Sequence, residues 1–313
     1  MKPHCRVAVA AGLLWLSAVP SSAQTEAELK AFCEGSTATP DQRIAGCSFV
    51  IDKGLETGKR LALSYCSRGH GYTEKRELDK AMADVNEAVR LDEDLACGYL
   101  NRGRVYGFKR EFQLALADYD RALKINPDFA LAYNNRGSVW MNVGDNEKAM
   151  ADFNRALKLD PKLATAYNNR ALIYYRTKQY DRAIAEYTAE IKLRPTVLAY
   201  ISRGNVHRDK ENLDKAIADY SEAIRVDPND ARGWRNRGMM YLFKNDSKKG
   251  VADYDKAVVL DPADVNSWNN RGQGKMRLGD KQGAIADFKK ALELKPGLPT
   301  ALESLKKLGA GPQ

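Results

Sequence analysis

The 313-residue chain predicts an all-α fold: an α-solenoid of tandem helix-turn-helix hairpins with an N-terminal disulfide cap and a C-terminal capping helix. Three observations predict it. Arginines recur at Arg68, Arg102, Arg136, Arg170, Arg203, Arg237 and Arg271, every 34 residues with a single step of 33. An aromatic stands three residues before each: Tyr65, Tyr99, Tyr133, Tyr167, Tyr200, Trp234 and Trp268. Prolines close most units, at Pro127, Pro161, Pro195, Pro228, Pro262 and Pro296. A period between about 20 and 50 residues marks a stacked array, in which each unit buries its apolar face against its neighbours. Such an array leaves almost no chain for a separate catalytic domain.

Taken in order, residues 1–23 read as a secretory signal. Lys2 and Arg6 precede an apolar run over residues 7–19, and Ser21-Ser22-Ala23 offers a small-residue cleavage site. The run is shorter than the roughly 20 residues a bilayer-spanning helix needs. The expected product is therefore exported, periplasmic or secreted in a bacterial-type envelope, with no transmembrane segment. Residues 24–61 form a cap of two helices, one over Glu26–Glu34 and a second opened by Thr39 as N-cap with Pro40 at its first position. Seven repeats follow at 62–95, 96–129, 130–163, 164–196, 197–230, 231–264 and 265–296. In the third, Tyr133, Arg136, Gly137 and Trp140 fall on one helical face, and Ala149, Phe153 and Ala156 on the next. A polar loop over residues 142–145 joins the two helices, and Pro161 ends the second. Residues 297–313 hold a last amphipathic helix at 298–308, stopped by Gly309.

The repeated pattern resembles the tetratricopeptide repeat family. Tyr133, Gly137, Trp140, Ala149, Phe153, Ala156 and Pro161 carry the resemblance in full, and it recurs seven times over residues 62–296. It implies a right-handed superhelix whose concave wall is made by the first helix of each unit. Local departures are Glu93 in place of a closing Pro, Glu190 in place of a small residue, Gly250 in place of Ala and Lys275 in place of an aromatic.

Cleavage after Ala23 leaves Cys33, Cys47, Cys66 and Cys97, all in the first 100 residues. An even count in an exported chain reads as disulfides, with three connectivities open. The cap hairpin favours Cys33–Cys47, and adjacent first helices make Cys66–Cys97 geometrically reasonable. A sharper alternative sets Cys66, His70 and Cys97 as metal ligands or a redox centre. No cofactor or metal is assigned. His207 stands where the pattern has a core aromatic and reads as a packed, hydrogen-bonded side chain.

Sixteen residues after each arginine stands an acid: Asp84, Asp118, Asp152, Glu186, Asp219, Asp253 and Asp287. These predict seven intra-repeat ion pairs of architectural role, each worth about 0–1 kcal/mol if exposed. Asparagines preceding the arginines, at Asn101, Asn135, Asn169, Asn236 and Asn270, are expected to bond backbone at the seams.

Function then falls on the concave wall. Its face carries Arg104, Arg176, Arg208, Arg232, Arg235 and Arg277, opposed by Glu74 and Asp209, with Asn134 and Asn168 between them. Phe108, Met141, Tyr175, Met239, Leu242, Phe243 and Met276 supply apolar anchors. Without its first 23 residues the chain keeps 48 basic and 41 acidic residues, a net charge of +7. An exported chain of this kind does not point to nucleic acid. The reading is a non-enzymatic scaffold or adaptor that binds a protein or peptide, an acidic segment being favoured. The alternative is a self-assembling array. An enzyme would need a metal-ligand helix, a phosphate-cradling loop or a nucleophile elbow, and none is present as a motif.

Overall fold

A computed structural model of the chain describes residues 25–35 and 37–311, and the predicted signal segment lies outside them. Seventeen helices and no strand occur among the described residues. They divide into two units, residues 25–109 and 110–311. No described helix is long and apolar enough to cross a membrane.

Unit 1 begins with α1 (Glu26–Glu34) and α2 (Pro40–Asp52), and both start on complete capping boxes. Thr25 accepts from the Glu28 backbone while Glu28 reaches back, and Thr39 and Gln42 do the same with Pro40 at the first position. A Cys33–Cys47 disulfide ties the two helices at a Cα separation of 4.6 Å. Next come α3 (Gly58–Glu74), α4 (Leu78–Leu91) and α5 (Ala96–Phe108). The helix α4 ends on schedule although Glu93 replaces the usual proline, so that proline is dispensable for termination here.

Unit 2 holds α6 (Phe112–Ile125), α7 (Ala130–Asn142), α8 (Asn146–Leu159), α9 (Ala164–Arg176), α10 (Tyr180–Leu193), α11 (Val197–Asp209) and α12 (Leu213–Val226). It continues through α13 (Ala231–Phe243), α14 (Ser247–Leu260), α15 (Val265–Arg277), α16 (Lys281–Leu294) and α17 (Pro299–Lys307). Odd and even helices pair as hairpins from α7/α8 to α15/α16, and each second helix also packs on the next first helix. The predicted stripes are the core: Ala149, Phe153, Ala156 and Leu157 are buried together on α8. Gly137 is required by that packing, because a Cβ there would stand 2.7 Å from the Phe153 ring. The departure at Gly250 has the same cause in mirror image. A Cβ on it would come within 2.6 Å of Leu242, which fills the space a methyl would take.

At the C-terminus α17 lays Ala301 and Leu305, both fully buried, against Phe288 and Ala284. Glu303, Lys306 and Lys307 face solvent, and Gly309 turns the chain at φ 70°. This is the expected cap, with a polar outer side.

Candidate functional site

The repeated arginine is structural, and its setting is drier and wider than the spacing suggested. Six of the predicted pairs lie within one unit, and all six form: Arg68–Asp84, Arg136–Asp152, Arg170–Glu186, Arg203–Asp219, Arg237–Asp253 and Arg271–Asp287, each at 2.6–2.8 Å. The seventh, Arg102 and Asp118, has one member in each unit. The six arginine side chains are 13–22% exposed and their acids 3–14%, so these are not exposed pairs. The free Nη1 arm then reaches the preceding second helix: Arg136 to Asp120, Arg170 to Asn154, Arg203 to Thr188, Arg237 to Ser221 and Arg271 to Asp255. That arm is a contact between repeats. Acceptors 15 or 16 residues upstream were the sequence signal for it.

Lys275, the departure in the last repeat, also reaches Asp287 at 2.9 Å and so doubles the cation on that acid. His207 is buried as expected, but the expected hydrogen bond is not made: Nδ1 is unbonded and Nε2 stands 3.9 Å from Asp219. Burial holds its pKa below the ordinary histidine value.

The wall residues divide into those presented and those consumed. Arg176, Arg232, Phe243 and Arg277 are exposed, while Asn168, Tyr175, Arg208 and Arg235 are half-buried. Arg104 and Phe108 belong to unit 1, where Arg104 meets the His70 ring and Phe108 carries the Arg76 guanidinium 3.7 Å from its centroid. Asn134 is a correction: it is 5% exposed and accepts from Asn169 at 3.2 Å, so it seals the seam instead of lining a groove. Leu242 and Met239 are corrected likewise, since both pack on Tyr254 and Ala257. Of the seam asparagines, Asn101 bonds the Cys66 carbonyl as expected. Asn169 and Asn270 choose side chains instead, Ser138 and Tyr254.

Charge on the wall is largely answered from within. Arg232 pairs with Asp230 at 2.6 Å, Arg235 with Asp264 at 3.4 Å and Arg208 with Asp209 at 2.8 Å. Arg277 donates to the Leu242 carbonyl. Tyr175 also donates to Asp209, at 2.5 Å. Burial works to raise the Asp209 carboxyl, but the bonds from Arg208 and Tyr175 outweigh it and leave it below the usual carboxylate range. The acids Asp230 and Asp264 sit in the loops between repeats, which a scan of helical faces does not sample.

Between α9 and α11, where the preceding loop is one residue short, the wall opens into a cavity of about 240 Å³. Ala164, Thr165, Asn168, Asn169 and Leu198 line it from the first helices, and Glu190 and Arg194 from the end of α10. Glu190 is 9% exposed and accepts from Asn168 at 2.9 Å. Burial raises its carboxyl above the ordinary value. The departure from a small residue thus places an acid beside a hole in the wall.

The cysteines complete the inventory. Cys66 and Cys97 are thiols in this structure with sulfurs 2.9 Å apart, and the expected second disulfide is not formed in it. His70 does not converge with them: its Nδ1 faces Arg104 and its Nε2 faces Glu74. No group of three or more metal-ligating side chains occurs among the described residues.

Sequence patterns of the tetratricopeptide repeat family match residues 62–95, 96–129, 141–178, 164–197, 204–246, 231–264 and 265–298. The chain belongs to the tetratricopeptide repeat family. No curated protein matches it. Among solved structures, this tetratricopeptide repeat chain is similar to the C-terminal part of a TPR repeat-containing protein from Cytophaga hutchinsonii. Identity is 18% and the TM-score 0.61, over 77% of this chain and 99% of that one. It is similar to PilF of Pseudomonas aeruginosa at 18% identity and TM-score 0.59, over 69% and 98%. YrrB, described as a TPR protein with an unusual peptide-binding site, matches at 21% and 0.53, over 60% and 97%. These likenesses establish the fold.

Proposed function

We propose that the chain is an exported, non-enzymatic tetratricopeptide repeat scaffold that holds a peptide or a partner-protein segment along the first-helix wall of unit 2. One observation carries the reading. Within that wall an exposed aromatic anchor, Phe243 at 62%, accompanies the Asn168–Glu190 cavity and the exposed Arg176 and Arg232. A large ring left in water gains from being covered, and elsewhere on the wall the Asn168–Glu190 cavity offers amide and carboxyl groups that can fix register. YrrB's described peptide-binding site lends this use of the fold support. The groove is mildly basic at most, because Arg208, Arg232 and Arg235 already meet acids of this chain. An acidic segment would be recognised by exchanging those partners, which lends specificity more than affinity.

Export is supported by the Cys33–Cys47 disulfide and by the basic-then-apolar pattern of residues 2–19. N-terminal sequencing of protein from the envelope fraction should begin at Gln24. Recovery only from the reducing interior, uncleaved, would sink export.

Crosslinking in cells followed by mass spectrometry tests the wall. A partner recovered with the wild type should be lost with Phe243→Ser and weakened with Arg232→Glu/Arg235→Glu. An identical partner list from all three proteins would rule the wall out.

A further inference from the structure

Cys66 and Cys97 stand apart from the Cys33–Cys47 bridge. Both are thiols, and their sulfurs lie side by side, 2.9 Å apart. The two sulfurs are also unlike. Cys66 is 3% exposed within α3, and Asn101 donates to both its carbonyl and its sulfur at 3.2 Å. Cys97 is half-buried and is the second residue of α5, inside the first helical turn. The Cys66 thiol donates to Cys97. That bond lowers the Cys97 pKa; burial opposes it, and the backbone N–H groups of Cys97 and Gly98 add to the lowering. The same bond, followed by burial, keeps the proton on Cys66. A half-buried thiol with a lowered pKa beside a buried thiol with a raised one is the division of labour that thiol–disulfide exchange requires.

We propose that Cys66 and Cys97 are a thiol–disulfide exchange site for small-molecule disulfides, with Cys97 attacking and Cys66 resolving. In the first step the Cys97 thiolate attacks one sulfur of RS–SR. The Cys97–S–S–R bond forms, the RS–SR bond breaks, and RS⁻ leaves with the electron pair and takes a proton from water. In the second step Cys66 loses its proton and attacks the Cys97 sulfur. The Cys66–Cys97 bond forms and the second thiol departs as RSH. The protein has given up two electrons and two protons, and the disulfide has become two thiols. Asn101 positions the resolving sulfur throughout. His70, engaged by Arg104 and Glu74, takes no part. This site lies on α3 and α5 of unit 1 and is independent of the wall on unit 2.

The test equilibrates the purified full chain in graded mixtures of reduced and oxidised glutathione, then quenches it and counts thiols by intact mass. In the wild type two thiols should appear and disappear together with the ratio while Cys33–Cys47 stays closed. Cys66→Ser should trap one glutathione on Cys97, and Cys97→Ser should leave Cys66 unmodified, with helicity by circular dichroism confirming that both variants fold. A wild-type pair that stays bridged at every ratio sparing the fold would be a permanent disulfide, and the proposal fails. It fails equally if the pair stays reduced in excess oxidised glutathione, or if Cys66 takes up glutathione as readily as Cys97. The wild-type arm decides even where a variant does not fold.

Discussion

Six of the repeating arginines each divide one guanidinium among three helices. In Arg136, Nε and Nη2 bind Asp152 at 2.8 and 2.6 Å, Nη1 binds Asp120 at 2.6 Å, and the plane lies 5.4 Å from the Tyr133 ring. Lysine has one donor centre and cannot reproduce that fork. Because the acids are nearly dry, losing one partner leaves an uncompensated buried charge. Asp253→Ala should cost about 3–5 kcal/mol in urea unfolding. Removing both charges, with Arg237→Met/Asp253→Leu, should recover most of that loss. Glu190 is the opposite case, an acid whose carboxyl is raised by burial and only partly answered by Asn168. Its folded pKa exceeds its unfolded one, so the folded state binds more protons between the two values. Stability at this site therefore falls as pH rises through that window, which starts near the ordinary glutamate value of about 4.3 and extends upward. Glu190→Gln should be more stable than wild type at pH 7 and show a flatter pH–stability curve over that range.

At the scale of elements, the turn between paired helices is where the repeats differ most in strain. Gly144 and Gly279 take positive φ, 90° and 81°, without a Cβ to clash. Arg76, Arg110, Lys178, Glu211 and Asn245 hold the same left-handed conformation at φ 58–64° with full side chains. A left-handed L-residue costs about 1–2 kcal/mol, and glycine returns about 0.5–1 of that through its greater unfolded-state freedom. Glu211→Gly should therefore raise stability by about 0.5–1 kcal/mol, read as a higher denaturation midpoint with unchanged m-value. The helix spans were legible because they rest on local signals: the Thr39 N-cap followed by Pro40, apolar stripes at helical spacing, and closing prolines. The wall was only partly legible. Asn134 and Leu242 share the periodicity of groove positions, yet a neighbouring repeat covers Asn134 and the missing methyl of Gly250 draws Leu242 inward.

Considered as whole units, both ends of the described chain are covered by elements outside the repeat pattern, α1–α2 in unit 1 and α17 in unit 2. Deleting residues 299–313 would uncover Phe288 and Ala284, which are fully buried in the intact protein. The truncated chain should lose thermal stability, by about 2–4 °C for each kcal/mol forfeited, and should self-associate in light scattering. If it stays monomeric with an unchanged melting curve, α17 is not a cap.

By itself the sequence determined the all-α class, the repeat register, the caps, the arginine–acid pairing and the Cys33–Cys47 partner choice. The register and the pairing depend on residues that recur at fixed offsets, and the caps and the Cys33–Cys47 choice on signals local to a single helix or hairpin. Only the tertiary structure decided which wall charges stay available, why Glu190 borders a cavity, and that Cys66 and Cys97 meet as unequal thiols. These outcomes depend on how closely helices from successive repeats approach, and on acids such as Asp230 and Asp264 that reach the wall from loops. Distance between elements is set by packing, and a one-dimensional period does not contain it.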